Sequence, residues 1–404
     1  MSLNIRPILS ALRRSPTGAI LVALEIAIAV AVLVNSAGIV AQRIAKIDRP
    51  TGIDARDSFT ILFSGVSSGF DAPSAIQQDL AYLRGLPGVI DAVATEGIPL
   101  SGDGGDETFY SKPGSQGARV DASILQTDEH GLSTLDVPLV AGRNFRADEV
   151  QLVTKGHMNE APPDIIITRT VARELFPGTD ALGKTLYDPQ GNPMAIIGIA
   201  RDYIGPQESN HAYDTVMLPQ IPAAYGFYNC IVRTQPGRAR AIMQLAERHL
   251  TASNPQRIIF LAHTLSWFKG QLDAENRDMA IFLAAVTALI LAVTCLGIFG
   301  LTTFNVSTRT KQIGTLRAVG ARQRDVVAHF LVENAIVLAV GVLLGCTLAL
   351  AIGYWLTVEY QVPRLNAGYL ALGVLLLGAV GQLAAWQPAR RAAAVPPSVA
   401  TRTI

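Results

Sequence analysis

Four long apolar stretches stand out along the chain. Gly18–Val40 has Glu25 and Asn35 as its only strongly polar members, and Ala280–Phe304 carries no charge. Ala335–Leu356 is likewise uncharged, with its helix expected to begin upstream near Val326, and Ala367–Trp386 is the fourth. A bilayer's hydrocarbon core takes roughly 20 apolar residues as helix, so each stretch predicts a membrane span. Four such runs, three of them uncharged, are hard to hide in one soluble core. The first run follows Arg13 and Arg14 and has the small residues Ser36, Ala37 and Gly38 near its end, as a signal peptide would. Its apolar part exceeds the ~7–15 residues of a signal core, which favours an uncleaved span.

Between the first two runs the pattern shortens and predicts a mixed α/β domain. Asp164–Thr168, with Ile165, Ile166 and Ile167, and Met194–Ala200, with Ile196, Ile197 and Ile199, read as strands. Val171–Phe176 reads as a short helix stopped by Pro177 and Gly178. Further helices are expected over Ser74–Arg84 and Arg238–Leu250. A polar helix over Leu261–Met279 is expected to run unbroken into the second span, where a rigid rod would pass movement between domain and bilayer. Ser101–Asp106 and Lys112–Gly117 read as loops.

Basic residues set the expected sidedness. Arg6, Arg13 and Arg14 precede the first span; Arg309, Lys311, Arg317, Arg322 and Arg324 crowd the second connection; Arg390, Arg391 and Arg402 follow the fourth span. The third connection has only Arg364, with Glu359 nearby. Positive residues mark the cytoplasmic side. The expected division is a cytoplasmic segment 1–17, spans at 18–40, 280–304, 326–356 and 367–387, an extracytoplasmic domain 41–279, an inner loop 305–325, a short outer loop 357–366 and an inner tail 388–404. The fold class is thus a four-span α-helical membrane protein with a large mixed α/β domain between the first and second spans.

Composition agrees. Charged residues make up 16% of the 404, against about a quarter in soluble domains. A net charge of +1 gives no reason to expect nucleic acid as a partner. Cys230 is alone in the α/β domain, since Cys295 and Cys346 lie in apolar runs, so no internal disulfide is expected there.

Two patterns mimic chemistry. Gly178–Thr185 (GTDALGKT) fits the phosphate-loop spacing GxxxxGK[ST]. That loop works by following a strand and opening a helix, which aims backbone N–H groups at phosphate. Here a helix and a Pro-Gly break precede it and turns follow, so nucleotide binding is not expected. Leu100–Gly104 (LSGDG) faintly matches an ABC ATPase signature but stands alone. The six histidines show no metal-binding spacing, and no metal site or catalytic grouping is expected.

The inner loop is the most informative segment. Ile313, Leu316 and Val319 recur at helical spacing, Gly320 sits where a helix would stop, and a new helix begins near Arg322. A short amphipathic helix follows, either lying on anionic headgroups or docking a cytoplasmic protein. Within the spans, Glu25, Thr302, Asn305, Glu333 and Asn334 lie at similar depth from the inner side. Intramembrane polar groups usually face a protein interior, here as a switch or as hydrogen-bonding glue between helices.

The stretch RTKQIGTLRAVGARQRDVVAHFLVEN resembles the signature of the FtsX-like permease family, and the whole chain is similar to its MacB-type branch. AGRNFRADE, IIITRTVARELFPGTDALGKTLY, AIIGIARDY and PARRAAAVPPSVA carry the same resemblance, which accounts for LFPGTDALGK without a nucleotide. The resemblance implies the permease subunit of an ABC transporter in the bacterial inner membrane, with both termini cytoplasmic and 41–279 periplasmic. It implies a second permease copy or a paralogue as dimer partner, a cytoplasmic ABC ATPase holding ATP and Mg²⁺, and a periplasmic adaptor and outer-membrane channel in some relatives. Efflux by mechanotransmission would then be its activity, with no cofactor on this chain. Carried residue by residue, the resemblance places ATPase coupling on Arg309, Lys311, Ile313, Gly314, Leu316, Arg317 and Gly320. About 17 residues precede the first span, too few for a domain, so the motor is expected on another polypeptide. A non-transport FtsX-like regulator of periplasmic enzymes, a lipoprotein-release type permease, and a membrane sensor or enzyme are the alternatives.

Overall fold

The computed structural model describes residues 16–66, 69–114, 116–154, 161–207, 211–224, 226–318, 320–360 and 366–394. Of the expected 1–17 segment, outer loop 357–366 and tail 388–404, residues 1–15, 361–365 and 395–404 fall outside the described residues. In chain order the elements are α1 (Pro16–Ile47), β1 (Ser58–Gly65), α2 (Ala72–Gly85), β2 (Val89–Thr95), β3 (Asp106–Lys112), β4 (Gln116–Thr127), α3 (Gly131–Leu135), β5 (Leu139–Gly142) and β6 (Gln151–Val153). Then come β7 (Asp164–Thr168), α4 (Arg169–Leu175), β8 (Thr185–Tyr187), β9 (Pro193–Ala200), β10 (Thr215–Pro222), β11 (Phe227–Thr234), α5 (Ala239–Ser253) and β12 (Arg257–Thr264). Four further helices follow among the described residues: α6 (Leu265–Thr308), α7 (Thr310–Ala318), α8 (Gln323–Tyr360) and α9 (Ala367–Ala393). The chain divides into two compact units, Asp48–Glu275 and the remainder.

The α/β unit contains two sheets. An antiparallel sheet of order β12-β1-β11-β2 carries α2 and α5 on one face, where Phe59, Ile61 and Phe63 alternate inward against Ile76, Leu80, Ile242 and Leu250. The alternation is the period of two that a pleated strand imposes. The second sheet runs β4-β3-β8-β9-β7-β10-β6 with β5 on β9, and β10 also pairs in parallel with β4. That last pairing closes six strands into a barrel. Ile165 and Ile167 of β7, Ile196 of β9, and Val216 and Leu218 of β10 fill it with Phe109, Val120 and Leu186. Ile166 and Met217, one residue out of phase, point the other way, into a core shared with Val93 and Ile231 of the antiparallel sheet.

A buried ion pair locks the antiparallel sheet to its helices. Arg257 and Asp79 are 2% and 4% exposed at their side chains. Asp79 Oδ1 accepts from Arg257 Nη2 at 2.7 Å and Oδ2 from the Tyr228 hydroxyl at 2.6 Å, and the guanidinium lies over the Phe63 ring, 4.5 Å from its centroid. Burial, with the carboxylate beside it, pushes the Tyr228 phenol up from its ordinary value. Buried charges are costly unless paired and hydrogen-bonded, and here the partners are present.

The helix expected over Leu261–Met279 starts later. Leu261–Thr264 belong to β12, whose Leu261 and His263 pair with Leu62 and Thr60 of β1. Ile258, Ile259, Phe260 and Leu261 suit a pleated surface better than a polar helix, and that preference wins. The two expected loops also shrink, because Asp106 opens β3 and Lys112 pairs with Gln116 across a hairpin.

In the helical unit, α1, α6, α8 and α9 are each long and apolar enough to cross a membrane. Helix α1 packs along α8 through small residues. A Cβ on Gly341 would lie 2.7 Å from Ile26, and one on Gly345 2.6 Å from Val30 and 2.8 Å from the Ala27 carbonyl oxygen. Two glycines four residues apart lie on one helix face and let backbones approach closely. Asn35 continues that seam, donating to the carbonyls of Ala31 at 2.8 Å and Ala349 at 3.2 Å.

Candidate functional site

The short helix predicted in the second connection is α7. It ends near Gly320, whose φ of +103° lies in the left-handed region that glycine tolerates. Its fourth residue, Ile313, is buried with Val326 and Phe330 of α8 and Ala389, Ala392 and Ala393 of α9. Gly314 is buried beside it, while Gln312 and Thr315 are exposed. Of the predicted apolar side, Ile313 is thus spent on the chain's own helices, while Val319 lies outside the described residues.

Immediately before α7, Arg309 turns back onto α8. Its Nη1 lies 3.0 Å from Glu333 Oε2, and the two side chains are 20% and 5% exposed. Glu333, Asn334, Thr302 and Asn305 line one small cavity of about 20 Å³ with Phe330 and Val337. Asn334 Nδ2 donates to the Gly381 carbonyl of α9 at 3.2 Å, and Thr302 donates to Ile298 within its own helix. Glu333 Oε1 has no hydrogen-bond partner among the described residues.

Four of the five expected intramembrane polar residues thus converge. Glu25 does not line that cavity; its carboxylate packs over Gly297 of α6. Of the expected coupling residues, Arg309 joins the polar cluster, Ile313 and Gly314 anchor α7, and Arg317 is half-buried. Lys311 and Leu316 lie on the same helix, and Gly320 follows it. The pairing of Arg309 with Glu333 was not legible as such, since similar depth does not say which faces meet. The Gly341–Gly345 seam was also missed, although its GxxxG spacing is a known packing signal.

The α/β unit contains a cleft of about 550 Å³ lined by Glu96, Asp103, Glu107 and Asp188 together with Phe109, Met194 and Leu218. No basic side chain lines it among the described residues. Burial pushes the Glu96 and Glu107 carboxyls up, and the Asp188 charge adds to the shift at Glu107. The segment with phosphate-loop spacing lies between α4 and β8, so a strand follows it where a phosphate loop needs a helix. Lys184 is engaged locally, with Nζ 2.5 Å from Thr179 Oγ1 and 4.7 Å from the Phe176 ring centroid.

Comparison with known families decides the assignment. The sequence model of the MacB-like periplasmic core domain matches residues 19–248, and that of the FtsX-like permease C-terminal family matches 284–397. The chain belongs to the MacB/FtsX-like family of ABC transporter permeases. It is a multi-pass membrane protein with the α/β domain of that family between its first and second spans. The macrolide export ATP-binding/permease protein MacB of Bdellovibrio bacteriovorus is 27% identical over 254 residues, 59% of this chain and 38% of that protein. The protein of the same name from Escherichia coli strain K12 is 28% identical over 248 residues, 58% of this chain and 37% of that one. The chain thus spans well under half the length of these relatives. Among solved structures, the periplasmic region of MacB from Actinobacillus actinomycetemcomitans aligns with TM-score 0.35 and 14% identity over 56% of this chain and 98% of that one. The extracellular domain of the noncanonic ABC-type transporter YknZ from Gram-positive bacteria aligns with TM-score 0.31 and 17% identity over 50% of this chain and all of that one.

Proposed function

We propose that this chain is the permease subunit of an exporter driven by a separate cytoplasmic ABC ATPase, and that it transmits ATP-driven movement from α7 to a periplasmic α/β domain. In this reading the protein sits in the bacterial inner membrane as a dimer with a second permease, both termini inside. ATP and Mg²⁺ belong to the partner, and an adaptor with an outer-membrane channel carries substrate onward. The observation that supports it most is the double attachment of α7. Ile313 is seated against α8 and α9, and Arg309 is paired with Glu333. A displacement of α7 must drag α8 and α9 or break an ion pair at the membrane, so a push on its exposed side is felt by the spans. The exposed Gln312 and Thr315 give the ATPase a face to grip.

The test is ATP turnover by the detergent-purified complex, with cysteine placed at Gln312 for crosslinking. Crosslinks to the ATPase, together with loss of permease-stimulated turnover in Ile313→Asp at normal membrane insertion, are the expected results. Undiminished stimulation in Ile313→Asp would overturn the coupling role.

A further inference from the structure

Three side chains scattered in sequence meet at one corner of the barrel. Glu174 lies near the end of α4, while His211 and Asp214 lie in the turn that enters β10. One ligand atom from each lies within 4.8 Å of the others. Asp214 is the unusual member. Its side chain is 1% exposed, and Oδ2 stands 3.0 Å from His211 Nδ1. Oδ1 is buried with no hydrogen-bond partner among the described residues. The backbone holds it there, since its N–H donates to the His211 carbonyl at 2.9 Å and its carbonyl accepts from the Ser123 N–H at 2.8 Å.

A buried carboxylate oxygen without a partner is costly, and the surroundings add to that cost. Burial first, and then the Glu174 charge, push the Asp214 carboxyl up to about 7, with His211 acting against them and Asp202 adding to the rise. The nearby Asp202 has its own partners, accepting from Arg169 at 3.0 Å and from the Thr170 N–H at 2.8 Å. The corner therefore holds two facing carboxylates and one imidazole, and no described lysine or arginine answers Asp214.

We propose that Glu174, His211 and Asp214 form a binding site for one divalent transition-metal ion. An imidazole with two carboxylates suits zinc and its first-row neighbours better than magnesium or calcium, which prefer oxygen alone. Three protein ligands leave a position for water. Asp214 is the preset ligand, and the exposed Glu174 and His211 close around the ion. The ion would fasten the end of α4 to the entry of β10, pinning a helix to the barrel.

The test uses the full-length protein in detergent, carrying no histidine tag, stripped with chelator and titrated with Zn²⁺ by calorimetry. The expected result is one Zn²⁺ per chain that is lost, or weakened at least tenfold, in His211→Ala and in Asp214→Asn. Zn²⁺ should also raise the thermal midpoint of the wild type and not of His211→Ala, because a ligand that binds only the folded state stabilises it. His211 is exposed, so its variant remains informative if Asp214→Asn fails to fold. No Zn²⁺ binding up to millimolar concentration, or equal affinity in wild type and His211→Ala, would overturn the site.

Discussion

Arg309 Nη1 and Glu333 Oε2 stand 3.0 Å apart, joining the residue that precedes α7 to the cavity wall on α8. The pair is largely withdrawn from solvent, and removing one member of such a pair leaves an uncompensated charge, at a cost of about 3–5 kcal/mol when burial is complete. Arg309 retains some exposure, so the lower end applies. Glu333→Ala is expected to lower the thermal midpoint and to reduce permease-stimulated ATP turnover. The exchange Arg309→Glu with Glu333→Arg should recover part of both losses. Normal midpoint and turnover in Glu333→Ala would reduce the pair to a bystander.

The Arg257–Asp79–Tyr228 group makes a parallel prediction for the α/β unit. Asp79→Ala strands a guanidinium that is 2% exposed, and a loss on the order of 3 kcal/mol is expected from thermal unfolding of the full chain. The double replacement Asp79→Leu with Arg257→Met should be milder than Asp79→Ala alone, because it leaves no unpaired charge. Additive losses would show that the two side chains act independently. Cys230, buried two residues beyond Tyr228 on β11 with its thiol pushed up by burial, should stay unreactive toward maleimide until this core opens.

These two ion pairs show what sequence can and cannot carry. The spans were legible because lipid demands apolar length, which Ala280–Phe304 meets without a charge and which carries Gly18–Val40 past the length of a signal core. Strands β7 and β9 were legible from local isoleucine runs. The barrel was not, because its closure depends on β10 pairing with β4 some 90 residues away in the chain, a contact no local pattern encodes. Likewise Arg309 reaches Glu333 only because the chain turns back after α6. Ile313 was correctly placed on the apolar side of α7, but periodicity alone does not say whether that side meets lipid, a partner or the chain's own helices. Asp79 and Arg257 carry ordinary sequence neighbours and gave no signal.

The α1–α8 seam predicts a size limit. Gly345→Leu would drive a side chain into Val30 and the Ala27 carbonyl, whereas Gly378 on α9 has nothing within 4 Å of where its Cβ would be. Forcing bulk into a packed interface costs typically 1–3 kcal/mol, occasionally more. Gly345→Leu should therefore lower the thermal midpoint or abolish recovery of folded protein from detergent, while Gly378→Leu should behave as wild type. Equal tolerance at both positions would mean that the helices do not meet along this face in the membrane.

The acidic cleft predicts a pH dependence. Burial and the Asp188 charge raise the Glu107 carboxyl above its ordinary 4.5 in the folded protein. The folded state then holds a proton that the unfolded chain has released, so stability falls as pH rises from about 4.5 through the folded value. The Arg143–Glu149 pair has the opposite sign. The Arg143 hydrogen bonds lower the Glu149 carboxyl, and its contribution is present above 4.5 and lost only as pH falls through its lower folded value. Between pH 5 and 7.5 that pair should contribute a constant amount, and Asp214 contributes a slope of its own in the same direction as Glu107. The expectation is therefore a difference. Glu107→Gln should raise the thermal midpoint at pH 7.5 relative to wild type, and the gap should shrink as pH falls toward 4.5, where the wild-type carboxyl regains its proton. A gap that stays constant across the range would mean that Glu107 is hydrated well enough to ionise normally.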